Sequence, residues 1–155
     1  MSNQKGFTII ELIVVIAIIA VLAAVVLINV TQYMDKGRDA AIRGNLSSLV
    51  ARGTKFFEDS TLGNGTYLFF CTDAGGAAPI RAAIESPKVG GALACTCDTP
   101  GCINFIGGPP KKWCACSPLH SKTGGVVDTF CVDSAGYKGV SQVVCTTRCA
   151  SGYCN

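Results

Sequence analysis

The sequence predicts an α+β protein: one long N-terminal α-helix packed on a small antiparallel β-sheet, with disulfides stapling the sheet domain. Three observations support this fold class. Residues 12–28 are 17 consecutive apolar residues, and an amphipathic pattern follows them. All ten cysteines lie between Cys71 and Cys154. The strand-like runs lie in that same cysteine-rich part, so helix and sheet occupy separate stretches of the chain.

The N-terminal segment is long enough to span a membrane. Adding residues 7–10 to the apolar run gives 22 residues whose only polar members are Thr8 and Glu11. As a helix this segment is about 33 Å long, and a bilayer core is about 30 Å thick. Three interpretations compete: a cleaved secretory signal, a transmembrane anchor, and a segment kept after cleavage between Gly6 and Phe7. The run has no A-x-A cleavage triplet, which disfavours the first.

Glu11 distinguishes these interpretations, because a carboxylate at this depth costs about 2.5–3.5 kcal/mol and needs a partner. The following apolar residues offer none. Cleavage after Gly6 would create an α-amino group on Phe7, and Glu11 of one copy could then meet the Phe7 amine of its neighbour. Such a buried pair would neutralise both charges and fix the axial register of packed helices.

The run KGFTIIELIVVIAIIAVLAAV resembles the N-terminus of type IV pilins and of type II secretion pseudopilins. The resemblance implies a pilin-like fold, a leader of residues 1–6 removed by a prepilin peptidase, and N-methylation of Phe7. It assigns Glu11 to assembly, residues 7–58 to the long helix, with 7–28 as transmembrane segment and filament core, and residues 59–155 to the head. Many such pilins carry a proline late in the apolar run, whereas this chain has none between Phe7 and Asn29.

The function expected from these features is structural. We expect a pilus-like filament subunit, held in the inner membrane by a single span with its head outside the cytoplasm, and later self-associated through its apolar helix. Its partners would be a prepilin peptidase and the assembly machinery. One alternative is a pseudopilin of a secretion or competence system. Another is a monomeric, membrane-anchored, cysteine-rich binding domain.

Other functional classes have little support. The net charge is +3 and the head is close to neutral, so strong non-specific nucleic-acid binding is not expected. The single histidine, His120, and the lack of a glycine-rich phosphate loop predict no enzyme activity and no cofactor. Asp133 is interpreted as a turn cap, in preference to an acid/base pair with Asp128. His120 is expected on an exposed loop, and Lys111 and Lys112 on a solvated turn.

The second half of the helix is expected to place one stripe under the head. The residues of this stripe recur at three- and four-residue steps: Val30, Met34, Ala41, Leu46, Leu49, Val50, Gly53, Phe56 and Phe57. Asp39 and Arg43 are expected to pair on the outer side. Gly37, Gly44 and Gly53 weaken the helix and indicate either a bend near Gly37 or close packing against the head. The helix should end near Ser60.

Three strands are predicted, at 66–71, 126–132 and 140–146, with a turn at 133–136. Residues 72–125 are expected to form a cross-linked loop region with a short helix around Arg81–Ile84. Six aromatic residues are expected to supply a small core: Tyr67, Phe69, Phe70, Phe105, Trp113 and Phe130.

The even number of cysteines predicts a disulfide framework and an oxidising compartment. The members are Cys71, Cys95, Cys97, Cys102, Cys114, Cys116, Cys131, Cys145, Cys149 and Cys154. Their pairing is not determined, because about 945 arrangements are possible. A zinc or iron–sulfur site built on the run from Cys95 to Cys116 is the weaker interpretation. Metal sites favour C-x2-C pairs and none occurs here, so no metal is expected.

Overall fold

The computed structural model describes residues 6–97, 109–149 and 152–154. In these ranges three helices and four strands follow one another: α1 (Ile9–Glu58), α2 (Ala78–Ile84), β1 (Ala94–Cys97), β2 (Trp113–Thr123), β3 (Val126–Asp133), β4 (Lys138–Ser141) and α3 (Cys145–Arg148). The chain divides into two units, Met1–Asp35 and Lys36–Asn155. The predicted α+β class, with one long helix, an antiparallel sheet and several disulfides, is confirmed.

The four strands form one sheet in the order β1-β2-β3-β4, and every neighbouring pair is antiparallel. Gly124 and Gly125 join β2 to β3 with φ of 60° and 85°, values that favour glycine in a tight hairpin. The register of β2 and β3 shifts between Pro118 and Lys122. Proline cannot donate to a strand ladder, so an irregularity beside it is physically reasonable.

The core lies between the inner face of the sheet and the second half of α1. Ile42, Leu46, Leu49 and Phe56 are fully or almost fully buried there, at the three-, four- and seven-residue spacings of one helix face. They share a core with Ala115, Trp113 and Val132, among others from the sheet. Val30 and Met34, which the periodic pattern included, are exposed.

Gly53 allows the helix to approach the sheet closely. A Cβ atom at this position would lie 2.7 Å from Nε1 of Trp113, whereas Gly37 and Gly44 have open space at the corresponding point. Of the two expected roles for these glycines, close packing therefore applies to Gly53. Aromatic rings complete this region, with centroids 4.8 Å apart for Phe70 and Trp113 and 5.3 Å apart for Phe56 and Phe70.

The strand predicted at 66–71 is wrong, because these residues form turns. Phe69 has φ of 59°, and the Phe70 amide donates to the Tyr67 carbonyl, a turn bond that an extended strand cannot make. Aromatic residues gave this stretch its strand-like composition. Tyr67 and Phe70 are indeed buried, but Phe69 is 50% exposed and does not contribute to the core. Phe105 lies outside the described residues.

Two further predictions of elements are corrected. Residues 72–125 contain the longest strand, β2, and the short strand β1, in addition to α2. Residues 140–146 do not form one strand: β4 begins earlier, at Lys138, and ends at Ser141, and α3 begins at Cys145. The strand at 126–132 is confirmed as β3.

Candidate functional site

The described part of the chain begins with three non-helical residues. Gly6, Phe7 and Thr8 precede the first residue of α1 and are exposed, with Phe7 at 83% of its maximal accessibility. No atom lies within 4 Å of the point where a Cβ on Gly6 would sit. The peptide bond between Gly6 and Phe7 is therefore accessible and not part of a helix.

Thr8 and Glu11 form a reciprocal cap at the start of α1. The Thr8 amide and hydroxyl donate to Oε2 of Glu11 at 2.9 and 2.8 Å, and the Glu11 amide donates to the Thr8 hydroxyl at 3.3 Å. This is the T-x-x-E capping box, which satisfies amides that the first turn of a helix leaves unpaired. The two hydrogen bonds that Thr8 donates reach the same carboxylate oxygen, Oε2. Within the described residues Oε1 of Glu11 has no hydrogen-bond partner.

The sequence suggested a partner for Glu11 on a neighbouring copy, and the cap adds a partner within its own chain. The apolar residues after it offer none, but Thr8 lies three residues before it. The spacing Thr8-x-x-Glu11 in the sequence is that of a capping box. The expectation from membrane depth considered only the apolar residues after Glu11. The cap satisfies part of the carboxylate, and among the described residues its negative charge has no counter-ion.

The apolar part of α1 is exposed along its whole described length. Every residue from 7 to 27 is exposed, and no part of the most apolar stretch of the helix is buried within the chain. The helix is long and apolar enough to cross a membrane by length and composition. A continuous apolar surface of this size requires cover from lipid or from another protein.

In the head, Asp39 joins α1 to the irregular part of β2. Its Oδ1 accepts a hydrogen bond from the His120 amide at 2.6 Å, and its Oδ2 accepts one from the Ser121 amide at 3.0 Å. The His120 ring contributes Nδ1, at 3.2 Å from Oδ1. The two amides lie where the register of β2 shifts, so β3 does not pair with them. Asp39 supplies the acceptors that the sheet does not.

Two predictions are wrong here. His120 lies on β2 and is only partly exposed, so it is not an exposed loop residue. Asp39 is buried and does not face outward with Arg43, whose guanidinium lies 6.0 Å from the centre of the Phe130 ring. Burial alone would raise the pKa of Asp39, but the hydrogen bonds from His120 and Ser121 outweigh it and hold this pKa below 3.8.

The outer face of the sheet carries most of the disulfides. Side chains alternate along a strand, so Cys114, Cys116 and Cys131 point away from the core that contains Ala115 and Val132. Three disulfides tie this face to the C-terminal segment: Cys114–Cys149, Cys116–Cys145 and Cys131–Cys154. A fourth, Cys71–Cys95, ties the loop after α1 to β1. Cys97 is disulfide-bonded too, and Cys102 lies outside the described residues.

The remaining polar candidates have structural partners. Asp133 accepts hydrogen bonds from the Ala135 and Tyr137 amides and so caps the turn after β3, as the sequence indicated. Asp128 accepts a hydrogen bond from the Thr123 hydroxyl at 2.9 Å. In the lysine pair, Nζ of Lys111 donates to the Gly65 carbonyl at 2.6 Å, and Nζ of Lys112 lies 4.5 Å from the centre of the Tyr153 ring.

Comparison with known proteins gives matches that cover part of the chain. Residues 1–27 match the family described as the prokaryotic N-terminal methylation motif. The chain is 42% identical over 67 residues to the type IV wide pilus major component PilA4 of Thermus thermophilus, covering 43% of this chain and 48% of that protein. No solved structure matches.

Two proteins of Moraxella bovis are also similar. The chain is 46% identical over 48 residues to its type IV major alpha-pilin and to its fimbrial protein Q. These matches cover 31% of this chain, and 30% and 31% of the two relatives. The chain thus spans less than half the length of each of these three curated relatives.

Proposed function

We propose that this chain is a type IV pilin and a structural subunit of a pilus-like filament; its N-terminal methylation motif and its similarity to type IV pilins support this. It is made as a membrane-anchored precursor with its head outside the cytoplasm. A prepilin peptidase cuts between Gly6 and Phe7, the new Phe7 amine is methylated, and the cut subunits polymerise through residues 7–28. The head, residues 59–155, takes no part in catalysis, and the motor and assembly proteins are other chains.

The observation that carries this proposal is the exposed apolar helix that begins with a carboxylate. Removing such a surface from water is favourable by about 25 cal/mol for each Å², so the segment needs an apolar cover at every stage. In the membrane, lipid covers this surface before assembly. In a filament, neighbouring helices would cover it.

The geometry of Glu11 supports a second role for its carboxylate. Oε2 is occupied by Thr8, while Oε1 is available in the described part of the chain. A Phe7 amine from an adjacent subunit could bind Oε1 without disrupting the cap. In apolar surroundings such a pair is weakly screened, so a shift of one subunit along its neighbour would leave two unpaired charges.

Glu11 variants test this role. We expect Glu11→Ala and Glu11→Gln both to abolish filaments while the precursor is still cut after Gly6. Glutamine can keep the capping hydrogen bond, since a capping box accepts either residue, but it removes the charge. Filaments sheared from cells would be counted by electron microscopy, and the N-terminus of the chain would be identified by mass spectrometry. Glu58→Gln, which removes an exposed carboxylate at the other end of α1, is the matched control.

Each other outcome contradicts a defined part of the proposal. Normal filaments from Glu11→Gln would mean that Glu11 acts only as a cap. A chain that keeps residues 1–6 would contradict processing. A processed chain that forms only a short assembly, required for protein secretion, would indicate a pseudopilin. A membrane-bound monomer unaffected by either variant would indicate an anchored binding domain.

A further inference from the structure

Two disulfides on the outer face of the sheet lie in direct contact. Sγ of Cys114 is 3.2 Å from Sγ of Cys131 and 3.3 Å from Sγ of Cys154, although it is bonded to neither. Sγ of Cys131 is also 3.7 Å from Sγ of Cys149. We call these four residues the sulfur cluster, and all four sulfur atoms lie within 4.8 Å of one another. Three of the residues are fully buried.

This spacing is close to that of a zinc tetrathiolate. Zinc binds four cysteine sulfurs tetrahedrally at about 2.3 Å, which places the sulfurs about 3.8 Å apart. Three of the four non-bonded separations, at 3.2–3.7 Å, already approach that value, and the fourth is within 4.8 Å. Only the two bonded pairs would have to separate, and an ion at the centre would hold them apart.

From this geometry we propose that the sulfur cluster is a redox-dependent metal site. When its two disulfides are reduced, it binds one zinc-like cation, which prefers sulfur ligands in tetrahedral coordination. Two equivalents of a dithiol reductant supply four electrons and four protons. They cleave Cys114–Cys149 and Cys131–Cys154 to four thiols and leave as two oxidised disulfides. Zn²⁺ then displaces the four protons and forms four Zn–S bonds, with no further electron transfer.

A buried cation supports this assignment, because a zinc tetrathiolate carries two negative charges. Arg148 is 1% exposed, immediately precedes Cys149, and donates to the Thr129 carbonyl and hydroxyl and to the Tyr137 hydroxyl, all of them neutral acceptors. Thr129 is two residues from Cys131 and so shares its face of β3. Within the described residues Arg148 has no carboxylate partner, and its Nε has no hydrogen-bond acceptor. A buried guanidinium without a counter-ion is costly, and an anionic centre on this face would reduce that cost.

The metal and the disulfides would perform the same structural task. Either one links β2 and β3 to the C-terminal segment that contains Cys149 and Cys154. The head could therefore hold this segment before its cysteines are oxidised, and zinc would be released when the disulfides form. This inference does not rest on the filament proposal, because it concerns the head alone.

Zinc binding by the full-length chain in detergent micelles tests the inference. The chain would be reduced with a phosphine, which supplies two electrons per disulfide and adds no competing thiol, and then incubated with zinc and passed through a desalting column. We expect about one zinc per reduced chain and none in the oxidised chain. Cobalt in place of zinc should give the visible absorption of a tetrahedral tetrathiolate.

Two double variants locate the site. Cys131→Ser with Cys154→Ser leaves two ligands of the cluster and should lose stoichiometric binding. Cys116→Ser with Cys145→Ser removes a disulfide from the same face but no member of the cluster, and should retain one zinc per chain. The inference is overturned if the reduced wild-type chain retains no zinc, or if binding persists without Cys131 and Cys154.

Discussion

Glu11 shows that one side chain can satisfy a local requirement and still be available for a distant one. Its Oε2 closes the capping box with Thr8, and its Oε1 is left without a partner in the described chain. The cap requires a side-chain oxygen at this position, while docking to an amine requires a negative charge. Glutamate supplies both, and glutamine supplies only the first.

Asp39 is the other acid whose environment decides its role. It accepts backbone hydrogen bonds from two consecutive residues of β2 and thereby joins that strand to α1. Asparagine at this position has one oxygen and one NH2 group, so one of the two backbone N–H groups would face another donor and lose its acceptor. Hydrogen bonds to charged groups contribute about 1.5–3 kcal/mol each.

We therefore expect Asp39→Asn to lower the free energy of unfolding of the head by about 2 kcal/mol at neutral pH. The folded-state pKa of Asp39 lies below the ordinary value of 3.8, so its contribution is complete well above that value. This contribution is lost as the pH falls through the folded-state pKa, because the carboxyl group is then protonated in both the folded and the unfolded chain. Urea denaturation followed by circular dichroism, from pH 7 to pH 3, would measure the difference between variant and wild type.

Glu58→Gln is the matched control for Asp39→Asn, because Glu58 is exposed at the end of α1. Its effect should be within about 0.5 kcal/mol at every pH. A difference for Asp39→Asn that stays constant down to pH 3 would contradict the assigned role of the carboxylate.

At the scale of elements, the approach of α1 to the sheet depends on Gly53. The Trp113 ring occupies the volume that a side chain at position 53 would need. Gly44 lies in the same helix but has open space around it. The two glycines therefore have equal helix propensity and opposite packing environments.

We expect Gly53→Ala and Gly44→Ala to change stability in opposite directions. Alanine improves helix propensity by about 0.8–1 kcal/mol at either site. At Gly53 the overpacking costs about 1–3 kcal/mol, so the melting temperature should fall. At Gly44 no overpacking opposes the gain in helix propensity, so the melting temperature should rise. Thermal unfolding of both variants by circular dichroism measures this, and a stabilised Gly53→Ala would contradict the close contact.

The same scale shows where prediction from sequence fails. The strand β3 was found because Val126, Val127 and Val132 favour strands by composition. The strand β2, WCACSPLHSKT, was missed because its only strand-favouring residues are Trp113 and Thr123, at its two ends. It forms because β1 and β3 pair with it on both sides and disulfides anchor Cys114 and Cys116. Such long-range constraints leave no local pattern.

At the scale of the whole molecule, the N-terminal helix was predictable, whereas the long-range contacts of the head were not. Hydropathy is a local property, so the composition of residues 7–28 indicates an apolar helix without any tertiary information. The contact of Asp39 with His120 joins residues 81 positions apart, and the sulfur cluster joins β2, β3 and the C-terminal segment. Neither produces a spacing that could be read along the chain.

The four described disulfides make a prediction for the intact chain. Non-reducing proteolysis and mass spectrometry should recover peptides linked as Cys71–Cys95, Cys114–Cys149, Cys116–Cys145 and Cys131–Cys154. Cys114 is close to three other cysteines, so a linkage of Cys114 to Cys131 or to Cys154 is the informative alternative. Recovery of either as the main product would contradict the pairing in the sulfur cluster.

Trp113 is the single tryptophan of the chain, and it is completely buried where Gly53 of α1 meets the sheet. Its fluorescence therefore originates from one known place. While the second half of α1 stays docked, the indole emits from an apolar setting at short wavelength, and lifting the helix would admit water and move the emission to the red. The protein thus carries its own optical probe of helix release, usable in whole assemblies without a label.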